Sequence, residues 1–95
     1  MIVLVVQWLA NMGEEDRVKS IFQKLAAASR KEPGCLMYLV NQHIDNRRRF
    51  ILYEHYKDMN ALQAHRDSAH FQTYGMQELP EIAKRHGHPF SGFEG

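Results

Sequence analysis

The sequence predicts an α+β fold, in which one antiparallel sheet carries its helices on one face. Segments rich in β-branched and aromatic residues alternate with amphipathic segments, and two of the predicted strands follow each other as a hairpin. The order of elements is strand, helix, strand, strand, helix, strand, which is the split βαβ or ferredoxin-like arrangement with a four-stranded sheet. With a chain of 95 residues, we expect residues 1–95 to form a single domain.

The first strand is predicted at residues 2–9. This segment is apolar and β-branched on both faces and is too short for an independent helix, so we expect a strand that is covered on both sides. Residues 11–13 provide a turn. Glu14, Glu15 and Asp16 follow it, and their charge suits the positive end of a helix dipole.

An amphipathic helix is predicted after this turn. Its apolar residues recur at spacings of three and four, as on the buried face of a helix: Val18, Ile21, Phe22 and Leu25. Arg30 and Lys31 have the charge that a helix C-terminus favours, and Pro33 disfavours helical geometry at Glu32. We therefore expect a helix of about 18 residues that ends before Pro33.

The second half of the chain begins with a predicted β-hairpin. Its strands are residues 36–43 and Arg49–Tyr56, joined by a polar loop. Asp58 is a suitable N-cap for a short helix, and Ser68 is a suitable cap for a second helical segment that continues to Leu79. A broken second helix is therefore expected after the hairpin.

The C-terminal segment has weak signals. Pro80 is expected to kink or restart the helix, and Gly87 is expected to end it. Residues 88–95 contain one Pro and two Gly, so a fourth strand there is expected to be short and to lie at an edge of the sheet.

Composition and motifs exclude several classes of function. A net charge of +1 gives no strong field for nucleic acid or an anionic membrane. Apolar stretches are far shorter than the ~20 residues that span a bilayer. The single cysteine, Cys35, cannot form an intramolecular disulfide, so we expect a soluble cytoplasmic protein. The sequence contains no Gly-rich phosphate loop and no CxxC or HExxH spacing, which disfavours nucleotide and structural zinc sites.

Three segments together resemble the antibiotic biosynthesis monooxygenase domain family: EPGC at residues 32–35, RFILYE at residues 49–54 and HRDSAHF at residues 65–71. The resemblance extends to about Ala83. It implies a homodimer of ferredoxin-like subunits that oxidises quinols or polyketide anthrones with molecular oxygen and no cofactor. The YEHYKD stretch and the Gly-rich tail are closer to the family branch that isomerises a phosphorylated autoinducer.

The resemblance leaves three functions open. The leading hypothesis is a cofactor-independent monooxygenase that acts on a quinol-like or polyketide metabolite. The second is an isomerase of a phosphorylated hydroxy-diketone, in which Arg47, Arg48 and Arg49 bind the phosphate. The third is a dimeric protein that binds an aromatic metabolite without catalysis. Haem is disfavoured, because Gly75 stands where haem-degrading relatives carry a ligand histidine.

Four residues are candidates for the chemistry: Glu54, Tyr56, His65 and His70. The resemblance places the second helix over a cleft, where either histidine could act as a general base or a hydrogen-bond donor. The alternative is that both histidines bond the backbone at helix ends. Glu54 has apolar neighbours, and burial would raise its pKa and make it a base, unless Arg66 or a backbone amide satisfies it. Tyr56 or His70 would stabilise an oxyanion.

Five further residues are expected to contact a flat substrate ring: Trp8, Phe50, Leu52, Phe71 and Tyr74. For Trp8, plain core packing is the alternative. No metal is expected. His65 and His70 are five residues apart, and on a continuous helix this offset points the two rings about 140° apart.

Overall fold

The computed structural model of the protein describes residues 1–91. In chain order its elements are β1 (Ile2–Ala10), α1 (Glu15–Ser29), β2 (Cys35–Gln42), β3 (Arg49–Tyr56), α2 (Met59–Asp67), a π-helix (Phe71–Glu78), α3 (Leu79–Ile82) and β4 (Ala83–Ser91). The predicted ferredoxin-like α+β fold is confirmed. No helix within the described residues is long and apolar enough to cross a membrane.

The four strands form one antiparallel sheet in the order β2-β3-β1-β4. Strand β1 lies in the middle and pairs with β3 and β4 along its whole length. The register places Leu4 of β1 opposite Glu54 of β3, and Glu54 opposite Tyr38 of β2. Because side chains alternate along a strand, these three point to the same face of the sheet. That face carries the helices.

The hydrophobic core lies between this covered face and the helices. Phe22 of α1 is fully buried and meets Trp8 and Phe50 of the sheet in edge-to-face contacts, with ring centroids 5.9 and 5.2 Å apart. Such pairs stabilise by about 0.5–1.5 kcal/mol beyond their buried area. The predicted apolar face of the first helix is confirmed, since its four residues are all buried: Val18, Ile21, Phe22 and Leu25.

The opposite face of the sheet is open to solvent in a single chain. Side chains of β1, β2 and β3 form this open face: Val3, Val5, Gln7, Leu9, Met37, Leu39, Asn41, Ile51, Tyr53 and His55. Several of its apolar members are exposed, among them Leu39 and Ile51. The prediction that β1 is covered on both sides is therefore wrong for one chain, because the described helices all pack on the other face.

The helix boundaries follow the predicted caps. Helix α1 has 15 residues, fewer than expected, because it ends at Ser29 with Arg30 as its C-cap. The Asp58 side chain accepts a hydrogen bond from the Ala61 amide at 2.8 Å, so the N-cap of α2 is confirmed. The Ser68 hydroxyl accepts one from the Phe71 amide, but the segment that follows is a π-helix.

Strand β4 differs most from the prediction. It lies at an edge of the sheet as expected, but it has 9 residues and is not short. Gly87 does not end a helix: α3 stops at Ile82, and Gly87 lies in β4 opposite Val6. Continuous pairing with β1 supplies backbone hydrogen bonds that outweigh the weak strand propensity of Gly and Pro, which an edge strand tolerates. The Gly-rich tail after Ser91 lies outside the described residues.

Candidate active site

A cavity of about 80 Å³ lies between the covered face of the sheet and the helical layer formed by α2 and the π-helix. Its walls are mostly apolar. Five titratable side chains also line it: Tyr38, Glu54, His65, Arg66 and Arg85. An apolar cavity with a few convergent polar groups is the usual form of a small-molecule site.

Glu54 is a buried carboxyl group on β3. The alternation of β3 places it on the covered face, and its exposed fraction is 3%. Burial, partly opposed by the hydrogen bond from Tyr56, raises the pKa of Glu54 from 4.5 to about 7. A carboxyl group with this pKa both accepts and donates a proton near neutral pH, as the prediction for Glu54 requires.

Tyr56 is hydrogen-bonded to Glu54. Its hydroxyl donates to Glu54 Oε1 at 2.6 Å, and its side chain is fully buried. Burial, and then the negative charge of Glu54, raise the pKa of Tyr56 far above its usual range, so the phenol keeps its proton. Tyr56 does not line the cavity. The Tyr56 hydroxyl therefore donates to Glu54 in this structure, and its role as an oxyanion donor stays a prediction.

His65 lies on the buried side of α2, with an exposed fraction of 2%. Its Nδ1 is 2.8 Å from Glu32 Oε2, and its Nε2 is 3.9 Å from Glu54 Oε1, beyond hydrogen-bond distance. Burial lowers the pKa of His65, although the hydrogen bond to Glu32 opposes this. A neutral ring whose Nδ1–H donates to Glu32 has a free lone pair on Nε2, on the side of Glu54.

Glu32 was not among the sequence candidates, although it bonds both candidate histidines. Its Oε2 accepts from His65 Nδ1 and from His70 Nε2, the latter at 2.5 Å. Its Oε1 is buried and has no hydrogen-bond partner among the described residues. His70 therefore contacts Glu32 and does not line the cavity. An acid before Pro-Gly marks this turn in the sequence, but no local pattern links it to residues more than thirty positions later.

The two histidine rings converge, so the prediction that they point apart is wrong. Ser68 has an extended backbone, with ψ of 151°, and breaks the helix between them. Donor atoms of Glu32, His65 and His70 all lie within 4.8 Å of one another. Imidazole nitrogens and a carboxylate oxygen are zinc ligands by type. Within the described part of the chain, these three residues form the group that could hold a metal ion.

The predicted substrate-binding residues divide into two groups. Trp8, Leu52 and Phe71 line the cavity, whereas Phe50 and Tyr74 do not. Phe50 packs against Phe22 in the core, and Tyr74 packs, partly buried, at the core margin. A substrate contact for either residue stays a prediction.

Arg85 lines the cavity and was missed by the sequence interpretation. It lies on β4, opposite Trp8 of β1, and so on the covered face of the sheet. The helix predicted from the sequence continues through this position to Gly87, so the sequence pattern gives Arg85 no strand face. A strand prediction that began at Ala83 would have placed Arg85 on the side of the cavity.

The hairpin arginines lie elsewhere. Arg47 forms an exposed ion pair with Asp16 at 2.7 Å, and Arg48 donates to the Ala10 carbonyl oxygen at 2.8 Å. Arg48 and Arg49 line a second cavity of about 680 Å³ at the open face. The structure does not bring them to the cavity of His65 and Glu54, and a phosphate-binding role for them stays a prediction.

One family model and several solved structures are similar to this chain. A sequence model of the antibiotic biosynthesis monooxygenase family matches residues 1–75. A candidate antibiotic biosynthesis monooxygenase from Nitrosomonas europaea is 26% identical, with a TM-score of 0.90 over 97% of this chain and 98% of its own. A Bacteroides thetaiotaomicron protein of unknown function, described as a possible oxidoreductase, is 29% identical, with a TM-score of 0.86 over 94% of each chain. A Shewanella oneidensis protein is 28% identical, with a TM-score of 0.87 over 94% of this chain and 87% of its own. No curated protein matches the chain significantly.

Proposed function

Because the chain belongs to the antibiotic biosynthesis monooxygenase family, we propose that it is a cofactor-independent monooxygenase of a small quinol-like or polyketide aromatic metabolite. The observation that carries the proposal is the apolar cavity in which the free Nε2 of His65 and the carboxyl group of Glu54 lie side by side. The description of the Bacteroides protein as a possible oxidoreductase supports it. The single free cysteine supports the reducing cytoplasm as its location.

The proposed reaction takes its electrons from the substrate. His65 Nε2 accepts the proton of a phenol or enol, and the resulting anion transfers electrons to oxygen as a C–O bond forms. His65 returns the proton to the peroxide, which loses water together with the remaining C–H proton and leaves a carbonyl group. Overall, CH₂ and O₂ become C=O and H₂O. Glu54, which accepts a hydrogen bond from Tyr56, is the second proton donor and acceptor.

The size of the cavity requires a conformational change. About 80 Å³ is far below the roughly 300 Å³ at which pockets for ligands of this kind begin. Phe71 and Gly75 of the π-helix line the cavity, together with Trp8 and Leu52 of the sheet. We therefore expect the π-helix to move outward when a ring binds between Trp8, Leu52 and Phe71. Helices of this type occur often at functional sites.

Oxygen uptake with a panel of quinols and anthrones tests the proposal. We expect uptake above the spontaneous rate that excess EDTA leaves unchanged, because the proposed reaction takes its electrons from the substrate. An oxygen electrode gives the rate, with the same substrate in buffer as the control. The absence of enzyme-dependent uptake would contradict the proposal. Loss of uptake in EDTA, with recovery on adding a divalent ion, would instead assign Glu32, His65 and His70 to a metal site.

We propose further that the protein is a homodimer in which a second copy covers the open face. The exposed apolar side chains Leu39, Ile51 and Tyr53 are adjacent there on β2 and β3. His55 on the same face has a buried Nε2 with no hydrogen-bond partner among the described residues. A small domain gains core by such pairing, and a buried polar atom needs a partner.

Leu39→Asp is expected to convert the dimer to a monomer. Leu39 is 46% exposed in one chain, and a second copy would bury the new carboxylate without a partner. The matched control is Ile44→Asp in the hairpin loop, where the side chain is 95% exposed and the dimer should persist. Size-exclusion chromatography with light scattering gives the mass. A wild-type protein that is monomeric at micromolar concentration would contradict the dimer.

A further inference from the structure

We infer that Glu32 is the positioning residue of this site: it holds His65 in the tautomer whose unprotonated Nε2 is on the cavity side, and His70 holds Glu32. The inference rests on the proposed role of His65 as the base. Its structural part, the protonation of the two ring nitrogens, can be measured without any turnover. Glu32 itself does not line the cavity and acts through His65.

The EPG turn brings the Glu32 carboxylate to α2. The turn is held by hydrogen bonds from the Cys35 amide to the Glu32 carbonyl oxygen at 3.1 Å and from the Lys57 amide to the Gly34 carbonyl oxygen at 2.8 Å. Gly34 packs directly on α2, since a Cβ at this position would lie 2.3 Å from Ala61 Cβ. Only glycine permits this approach, which places the turn one helical turn from His65.

The charge of Glu32 decides the tautomer of His65. A neutral imidazole has one N–H, and an ionised carboxylate can only accept a hydrogen bond. The 2.8 Å contact with Glu32 Oε2 therefore requires the hydrogen on Nδ1 and leaves the lone pair on Nε2. Without the carboxylate, the hydrogen can occupy Nε2, and a protonated Nε2 cannot accept a proton from the substrate. A base that a third group orients is a recurrent arrangement in catalytic sites.

His70 is the third residue of this group, and it binds Glu32. Its Nε2 donates to the same Oε2 atom that His65 binds, so the oxygen is fixed by two donors from two separate segments. The side chain of Glu32 is 14% exposed and that of His70 is 20% exposed, and His65 is almost completely buried. The three side chains thus run from the protein surface to the cavity, with Glu32 in the middle.

Long-range ¹H–¹⁵N NMR tests the inference, because it distinguishes protonated from unprotonated imidazole nitrogens. In the wild-type protein above neutral pH we expect His65 with a protonated Nδ1 and an unprotonated Nε2. Glu32→Gln should shift His65 toward the other tautomer, because the amide can donate to Nδ1. His70→Gln keeps a donor at the Nε2 position and should retain the wild-type tautomer. A wild-type His65 with a protonated Nε2 would overturn the inference.

Kinetic measurements then test whether the tautomer of His65 controls turnover. Glu32→Gln should lower kcat at least ~100-fold with little change in KM, because a wrong tautomer removes the base but not the cavity. Glu32→Asp, which keeps the carboxylate, should recover part of kcat and serves if the amide variant does not fold. Unchanged kcat in folded Glu32→Gln would overturn the inference. If the wild-type protein shows no uptake, the proposed function fails, and the NMR result still decides the role of Glu32.

Discussion

His65→Ala is expected to lower enzyme-dependent oxygen uptake by about 10²–10⁴-fold, the usual contribution of a general base. His65 lines the cavity, and its Nε2 is 3.9 Å from Glu54 Oε1. Alanine removes the atom that accepts the substrate proton. The rate is measured with an oxygen electrode at saturating substrate, after subtraction of the spontaneous rate, on protein shown to be folded by circular dichroism.

Two further variants make this result specific. His65→Gln keeps a buried polar side chain but cannot take up the proton, so it should be nearly as slow as alanine. His43→Ala removes a histidine from the exposed hairpin end, where its ring accepts hydrogen bonds from the Asp45 and Asn46 amides, and should retain activity. Full activity in folded His65→Ala would show that His65 is not the base, and would leave Glu54 as the candidate in the cavity.

The stability of the protein is expected to depend on pH through Glu54. The pKa of Glu54 is about 7 in the folded protein, against an ordinary value of 4.5. Between these values the folded state keeps a proton that the unfolded state has lost. The contribution of Glu54 is therefore fully present below about pH 4.5 and is lost as pH rises through about 7, a change of roughly 3 kcal/mol.

Glu54→Gln isolates this contribution. The lowered pKa of His65 acts in the opposite direction, since its stabilising contribution is lost as pH falls below the ordinary value of 6.5. Subtracting the unfolding free energy of Glu54→Gln from that of the wild type cancels His65 to first order. We expect this difference to become more negative by roughly 2.5 kcal/mol between about pH 5 and pH 8.

Urea unfolding at fixed protein concentration gives these free energies. Glu78→Gln changes an exposed carboxylate of the π-helix and serves as the matched control for the loss of one carboxylate. A pH-independent difference for Glu54→Gln would mean that Glu54 ionises normally in the folded protein. It would then lose its proposed place as a proton donor near neutral pH.

The elements with strong local patterns were predictable from the sequence. Strand β3 has the predicted bounds, Arg49–Tyr56, because its apolar and aromatic residues alternate along a continuous stretch. Strand β4 was not predictable in the same way, since Gly87 and Pro89 weaken its local signal. It forms because β1 offers a long apolar partner, and pairing between distant segments leaves no local pattern in either of them.

The residues of the candidate site also differ in whether the sequence could identify them. Glu54 could be named because it is a polar residue within a locally apolar strand pattern, and His65 because the HRDSAHF stretch resembles the family. The structure brings both to the cavity. Glu32 and Arg85 depend on long-range geometry: one on the packing of the EPG turn against α2, the other on the extent of β4. The convergence of His70 with His65 depends on the break at Ser68, which a regular helical spacing does not contain.

The central position of β1 also sets the order in which the chain can complete its fold during synthesis. Strand β1 is made first, yet its partner β4 is the last of the described strands to leave the ribosome. Until then the β4 side of a very apolar strand has unpaired backbone groups, which invite association with other chains. The nascent protein therefore keeps an unpaired apolar sheet edge until β4 has emerged.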